Sequence, residues 1–404
     1  MNPQAARRTI LDSFHAALAA VEPRAATARA IENSSGRLGE RTVGVVAIGK
    51  AAAPMAWGAT DALGERLTSG VAVGSEPAEP PARIAWHTGS HPIPDGRSEA
   101  AGRAIIAYLE STEAEFVLFL VSGGGSALAE VPPAGIGIDQ LAAIQLALLH
   151  SGTPIDQLNL ARRSLSGVKD GRLLGHVTVP HLTLLVSDVG DAGPEVIASG
   201  PTLAAPSSPE AVSEILRHAG VDVDDSIQAH LETLETVRPN DDWEVIADGW
   251  SAARAAAEVM AKSGEDVDMA GRHFSGEARR VARTLVRGAG TGFTIAPGEA
   301  TVTVTGGGRG GRNSEAALAL AIDIDGEDGV VFAALATDGV DGASDATGAI
   351  VDGGSAQRIR AAGLSPEAAL MNNDSHPALD SSGDLVRTGP TGTNVADLWM
   401  VWRG

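Results

Sequence analysis

Cysteine is absent from the 404 residues, which removes disulfides, thiolate nucleophiles and cysteine-ligated metals, and fits a reducing, cytoplasmic setting. Lysine is scarce: of 30 lysines and arginines, only Lys50, Lys169 and Lys262 are lysine. Where lysine persists in such a background, a compact ammonium is needed that a planar guanidinium cannot replace; Lys262 is better read as chance. Basic charge as a whole is short, with 51 acidic residues against 30 and a net charge of −21. That argues against nucleic acid and anionic membrane as partners, since both require a basic face. A local basic pocket for a small anion is still compatible with it. No uncharged apolar run approaches the roughly 18 residues that span a bilayer. One H-x-x-x-H pair occurs, His87 and His91, but zinc is not expected from that pair alone, and no G-x-S-x-G elbow points to a serine hydrolase.

What is present is globular composition, 44% hydrophobic and 20% charged, in a chain long enough for two domains. Near the N-terminus Ile10, Leu11, Phe14, Ala17, Leu18 and Val21 recur at helical spacing among Asp12, Ser13 and His15. That is an amphipathic helix, not a signal peptide. Strands are expected at 42–48, 71–73, 116–121, 182–186, 301–305, 330–336 and 398–402. Helices are expected at 6–21, 52–64, 97–111, 139–149, 209–218, 250–263, 276–288 and 313–323. Such alternation predicts parallel sheets covered by helices. The acidic, weakly apolar stretch 219–243 places a domain boundary close to 240.

Polar turns follow several of these strands, where open parallel sheets collect their ligands. Gly44 to Lys50 nearly matches a Walker pattern, but Ala51 stands where a Ser or Thr belongs and the intervening residues read as strand. What remains is Lys50 leaving a strand just before a helix. Gly123, Gly124, Gly125 and Ser126 follow 116–121 and can aim successive N–H groups at an anion; a flexible turn is the plainer alternative. Ser187 and Asp188 close another strand, where Asp188 either holds Mg²⁺ or caps a turn.

Gly306-Gly-Gly308-Arg309-Gly310-Gly311-Arg312 formally satisfies G-x-G-x-x-G. Its two arginines and the late position of the next strand-end acid, Asp338, suit a phosphate better than a nicotinamide nucleotide. Asp338 and Asp341 lie on a glycine turn after 330–336, as a general base or metal ligands would; a purely structural Asp turn is the alternative. Near the C-terminus, Thr388-Gly-Pro-Thr391-Gly-Thr393-Asn394 gathers two hydroxyls and a carboxamide in one turn.

Taken together, Ala47-Ile-Gly-Lys50, His91-Pro-Ile-Pro-Asp95, Val121-Ser-Gly-Gly-Gly-Ser-Ala127, Ser187-Asp-Val, Val196-Ile-Ala-Ser-Gly-Pro-Thr202, Gly308-Arg-Gly-Gly-Arg-Asn313, Thr337-Asp-Gly-Val-Asp-Gly342, Asn372-Asn-Asp-Ser375 and the Thr388–Asn394 motif are collinear over nearly the whole chain. In this the sequence resembles the glycerate 2-kinase family, whose C-terminal part is called the MOFRL domain. It departs from the family pattern at Gly307, at Gly190-Asp191-Ala192 and at Arg162-Arg-Ser-Leu-Ser166.

The resemblance implies ATP-dependent phosphorylation of D-glycerate at its C2 hydroxyl, with Mg²⁺. It implies an α/β fold with a larger Rossmann-like N-terminal domain (1–240) and a smaller α/β C-terminal domain (241–404, the MOFRL region from about 297). The active site is expected between them, and a homodimer is compatible with it. Lys50, Arg312, Asp338 and Asn394 become the catalytic candidates, with Asp188 a candidate metal ligand. Gly123–Ser126, Ser187, Asp188, Gly308, Arg309, Gly310, Gly311, Thr391 and Thr393 become candidates for binding substrate or nucleotide. Two rival readings are an NAD(P)H-dependent hydroxypyruvate reductase and a non-catalytic sugar-acid or nucleotide binder.

Overall fold

Val43–Ile48 reads Val-Gly-Val-Val-Ala-Ile and is buried along its whole length, the pattern of a strand covered on both faces in a parallel sheet. It is strand β1 in a computed structural model that describes residues 1–205, 207–234 and 240–404. Its sheet also contains β2 (Leu67–Gly74), β3 (Ile84–Thr88), β4 (Phe116–Ser122), β5 (His181–Val186) and β6 (Trp243–Ala247), in the order β3-β2-β1-β4-β5-β6. The pairings from β3 through β5 are parallel. This is the doubly wound Rossmann order, which reverses between β1 and β4 and leaves a crevice at their carboxyl ends. The core against this sheet includes Val46, Ile105, Phe119, Val121 and Leu173. A second cluster, around Leu141, Leu148, Leu158, Leu216 and Ile227, joins the helices Ile138–His150, Ile155–Ser164, Pro209–His218 and Asp225–Glu232.

The chain divides into Pro23–Ile246 and a second unit made of Met1–Glu22 with Ala247–Gly404. The expected domain 1–240 therefore loses its first segment. The helix Pro3–Ala20 buries Ala6, Ile10, Phe14 and Ala17, and that face packs on the helix Gly249–Ala261 and on the strand Val330–Ala336. Of the acidic stretch 219–243, residues 235–239 lie outside the described residues.

The second unit holds β7 (Val267–Met269), β8 (Phe274–Glu277), β9 (Gly292–Thr301), β10 (Val330–Ala336), β11 (Gly348–Asp352), β12 (Leu385–Val386) and β13 (Asp397–Arg403). Its sheet runs β12-β11-β10-β13-β9-β7, with β8 also beside β9. Here the expectation of an all-parallel sheet fails. The Thr337–Gly342 turn sends the chain back, so β11 is antiparallel to β10, and β13 is antiparallel to both β10 and β9. The strand expected at 301–305 is also displaced. β9 pairs with β13 as far as Gly298 and with β8 as far as Thr301, so residues 302–305 have alternating sequence but no neighbouring strand among the described residues. The core of this unit centres on Phe332, Trp399, Val401, Leu318 and Leu285.

Candidate active-site residues

In the Rossmann-like unit the polar turns gather at the switch point. Lys50 follows β1 and the glycine turn follows β4. The Lys50 N–H donates to Gly123 O at 3.0 Å, and the Ala51 N–H to Ser122 Oγ at 3.0 Å. Gly124 sits at φ +82° with Lys50 Cγ and Cε 3.0 Å from where a Cβ would stand, so the absence of a side chain there gives the lysine stem its track. The Lys50 side chain is exposed. Gly124 is the N-cap of the one-turn helix Gly125–Leu128 and makes no side-chain cap bond, so the N–H groups at that end keep their donor capacity.

Ser126 Oγ lies 2.8 Å from Ser199 Oγ. Ala198 and Ser199 adopt φ +52° and +61°, conformations costly for residues with a Cβ and frequent at functional sites. The Asp188 carboxylate lies against the Cα of Gly123, and Ser187 is buried with its Oγ 3.4 Å from the Val189 N–H.

Two further groups in this unit went unassigned from sequence. Partial burial, and then the cations Lys50 and Arg162, push the His91 imidazole below the ordinary histidine range. Burial also lowers the Arg162 guanidinium, against the pull of Glu130. Lys50 and Arg162 thus both bear on the His91 imidazole and favour its neutral form. Lys169 has a different task. It is buried and ion-paired to the equally buried Glu130, which also accepts from Ser166. The ammonium of Lys169 is used internally.

In the other unit Arg312 begins the helix Arg312–Asp323. Its Nε and one terminal nitrogen grip both oxygens of Asp397 at 2.6 and 3.0 Å, and the other terminal nitrogen reaches Glu299 at 2.9 Å. Asp397 is 1% exposed. Burial drives its carboxyl up to about 6 although Arg312 opposes this. Burial works against the charged guanidinium too, but Asp397, Glu299 and Asp341 outweigh it, and Arg312 is shifted upward. Asp341, also buried, caps the same helix by accepting the Asn313 and Ser314 N–H groups, each at 2.8 Å. It is therefore the structural member of the Asp338/Asp341 pair. Asp338 is half-buried and accepts from the Val340 N–H at 3.0 Å.

The C-terminal turn is laid beside Asp338, whose carbonyl accepts the Thr391 N–H at 3.2 Å. Its threonine hydroxyls are spent inside the protein, Thr391 on Thr337 O and Thr393 on Val21 O. Asn394 is exposed and accepts only a long bond from the Ala396 N–H, 3.4 Å.

The glycine-rich loop also differs from its sequence reading. The N–H groups of Gly306, Gly307, Gly308 and Arg309 donate to Asn373 Oδ1, Asn372 Oδ1, Asn372 O and Asp374 Oδ1, at 3.0, 3.2, 2.9 and 2.8 Å. Gly311 donates to Ser314 Oγ at 2.9 Å, and the Arg309 guanidinium to His376 Nδ1 at 2.7 Å. The loop is clamped by the Asn372–His376 segment, and its donors are not gathered for a phosphate. At Gly308 a Cβ would run into Asp374 and the Asn372 carbonyl, so that glycine serves close backbone packing.

No cluster of three or more metal-ligating side chains exists among the described residues, and no helix among them is long and apolar enough to cross a membrane. A nucleotide-borne Mg²⁺ asks little more of a protein than one carboxylate, the rest of its shell being phosphate oxygen and water. Asp188, beside the glycine turn, fits that requirement.

Comparison with known proteins agrees over the full length. The model described as "Domain of unknown function (DUF4147)" matches residues 9–232, and the MOFRL family model matches residues 292–397. D-glycerate 2-kinase of Thermotoga maritima is 35% identical over 98% of this chain and 98% of its own. A protein of Agrobacterium vitis, whose name assigns it hydroxypyruvate reductase activity only provisionally, is 36% identical over 100% of this chain and 96% of its own. The crystal structure of the Thermotoga maritima glycerate kinase superposes with a TM-score of 0.92 at 33% identity, covering 100% of both chains.

Proposed function

Because the chain belongs to the MOFRL-type glycerate kinase family, we propose that it transfers the γ-phosphoryl group of ATP to the C2 hydroxyl of D-glycerate, giving 2-phosphoglycerate and ADP. The observation that carries the reading is the pairing, at the Rossmann switch point, of the exposed Lys50 with the uncapped turn at Gly124.

Phosphoryl transfer rests on positioning and on neutralising the charge that spreads over the transferring oxygens. Lys50, whose charge reaches His91 together with that of Arg162, supplies that neutralisation. The Gly123–Ser126 turn supplies N–H donors to an anion, either phosphate or the glycerate carboxylate. Asp338 accepts the C2 hydroxyl proton as the oxygen attacks the γ-phosphorus and the bond to the ADP oxygen breaks. Asn394 orients the substrate by its free carboxamide. Arg312 adds a fixed cation whose direction is set by Asp397 and Glu299. Asp188 would hold Mg²⁺, which when bound neutralises phosphate charge.

The reductase name of the Agrobacterium relative finds less support. The formal G-x-G-x-x-G does lie between β9 and the helix Arg312–Asp323 that leads to β10, a strand parallel to β9 with β13 between them. What counts against a dinucleotide is that its N–H groups are committed to Asn372, Asn373 and Asp374. Incubation with ATP, Mg²⁺ and D-glycerate should release ADP and give the phosphorus resonance of 2-phosphoglycerate. NADH consumption with hydroxypyruvate, and no ADP, would overturn the proposal.

A further inference from the structure

One motif has no place in this mechanism: Thr301-Val-Thr-Val-Thr305, which alternates like a strand yet continues past the last partner of β9. Val302 and Val304, alternate residues of this run, and Ala300 just before it form one wall of a cleft of about 300 Å³. Gly310, Arg312 and Asn373 contribute to the rest of its lining. Val304 is 73% exposed, a bare apolar side chain at the rim of a concave site. The volume is at the lower end of the range for small-molecule pockets.

The charged side chains around the cleft are already paired. Arg312 is held by Asp397 and Glu299. Glu315 is held by Arg279 and by Asn373 Nδ2. Asn373 Oδ1 takes the Thr305 and Gly306 N–H groups, and its Nδ2 also reaches Thr303 O. The neighbouring loop N–H groups are spent on Asn372 and Asp374. For a phosphate or small carboxylate buried in the cleft itself, the cation on offer is Arg312, whose charge is already shared between Asp397 and Glu299, so the desolvation would be poorly repaid. A flat, uncharged heterocycle would lose little, since its faces gain apolar contact. Its polar edge can use the main-chain groups of Val304, which bond to no other group among the described residues. Glycerate is the wrong shape and polarity for such a wall: three carbons carrying a carboxylate and two hydroxyls.

We infer that this cleft of the C-terminal unit binds the uncharged nucleoside end of the phosphoryl donor, with Val302 and Val304 packing on the base. The inference rests on ATP being the donor, as proposed above. It makes the alternation at 301–305 a ligand-facing wall and not an unfinished strand.

The test uses the full chain and Val304→Asp, a change at an exposed position that the fold should tolerate. The KM for ATP should rise about tenfold or more, the equivalent of about 1.4 kcal/mol, with the KM for glycerate within about twofold. Adenosine, which carries no phosphate, should compete with ATP in the unaltered protein. Its saturation-transfer NMR signal should be present with the unaltered protein and fade with Val304→Asp. An unchanged KM for ATP, a rise confined to glycerate, or adenosine signals equal in both proteins would overturn the assignment. If the unaltered protein phosphorylates no glycerate at all, the proposed function fails by itself. The adenosine titration still decides the cleft, because it needs no turnover.

Discussion

Arg312 and Asp397 are joined at two points, Nε to Oδ2 at 2.6 Å and a terminal nitrogen to Oδ1 at 3.0 Å, with the carboxylate almost wholly buried. A planar guanidinium held bidentately has its direction fixed as well as its charge. Asp397 raises its own cost of ionisation by being buried, and its carboxyl titrates at about 6 instead of the ordinary 3.8.

A pH dependence follows. Below about 6 Asp397 takes up a proton and its grip on Arg312 weakens. The kcat should therefore fall as pH drops through that value, and Asp397→Asn should remove this acid limb while lowering the plateau. The stability effect has the opposite sign. A carboxyl whose pKa is raised on folding contributes stability that is complete below its unfolded value and is lost as pH rises through about 6. Asn at 397 should flatten that part of the urea-midpoint profile. A kcat profile identical in the two proteins would show that Arg312 does not depend on Asp397 for its role.

Lys50→Ala should lower kcat by about 10²–10³ with the fold intact, the usual loss when one preorganised donor to transition-state charge is removed. Lys50→Arg should not restore it, because the track over Gly124 fits a thin stem ending in a compact head. Turnover within a few-fold of normal in either variant, measured by coupled ADP release, would take this lysine out of the chemistry.

Gly307 and Gly308 give a direct comparison of what the glycines do. A Cβ on Gly307 meets nothing within 4 Å, whereas one on Gly308 would strike Asp374 and the Asn372 carbonyl. Gly307→Ala should leave stability within about 0.5 kcal/mol, and Gly308→Ala should cost about 1–3 kcal/mol as the clamp is pushed aside. Urea denaturation of the two variants checks the order. A phosphate-cradling loop would instead show its main loss in activity at both positions.

Lys169→Met should destabilise the protein by about 3–5 kcal/mol, because it strands the buried Glu130 without its partner. Combining it with Glu130→Gln should recover most of that loss. Calorimetric midpoints of the single and double variants would separate this account from one in which Lys169 acts only in catalysis.

Where order along the chain decides the structure, the sequence was a good guide. The strand expected at 330–336 and the helix expected at 209–218 have those limits in the fold, and the turns after β1, β4 and β5 contain Lys50, the Gly123–Ser126 segment and Asp188. Where a remote partner decides, it was not. The glycines at 306–311 look like a phosphate loop until Asn372, Asn373 and Asp374, some 65 residues away, are seen to take their N–H groups. The hydroxyl of Thr393 is taken by Val21, 372 positions earlier. Asp397 opens an ordinary buried strand, so nothing local marks it as the support of Arg312. Its only signal was its place three residues beyond the Gly-Thr-Asn turn.

The assignment of Met1–Glu22 to the unit otherwise built from Ala247–Gly404 bears on how the polypeptide is made. On the ribosome the helix Pro3–Ala20 emerges with Ile10 and Phe14 exposed, while the surfaces that cover them, at 249–261 and 330–336, are translated only after the whole Rossmann-like unit. The Rossmann-like insert can complete itself during synthesis; the outer unit cannot. Until those surfaces appear, the nascent chain carries a greasy helix with no mate, the kind of delayed closure that makes folding slow and gives chaperones something to hold.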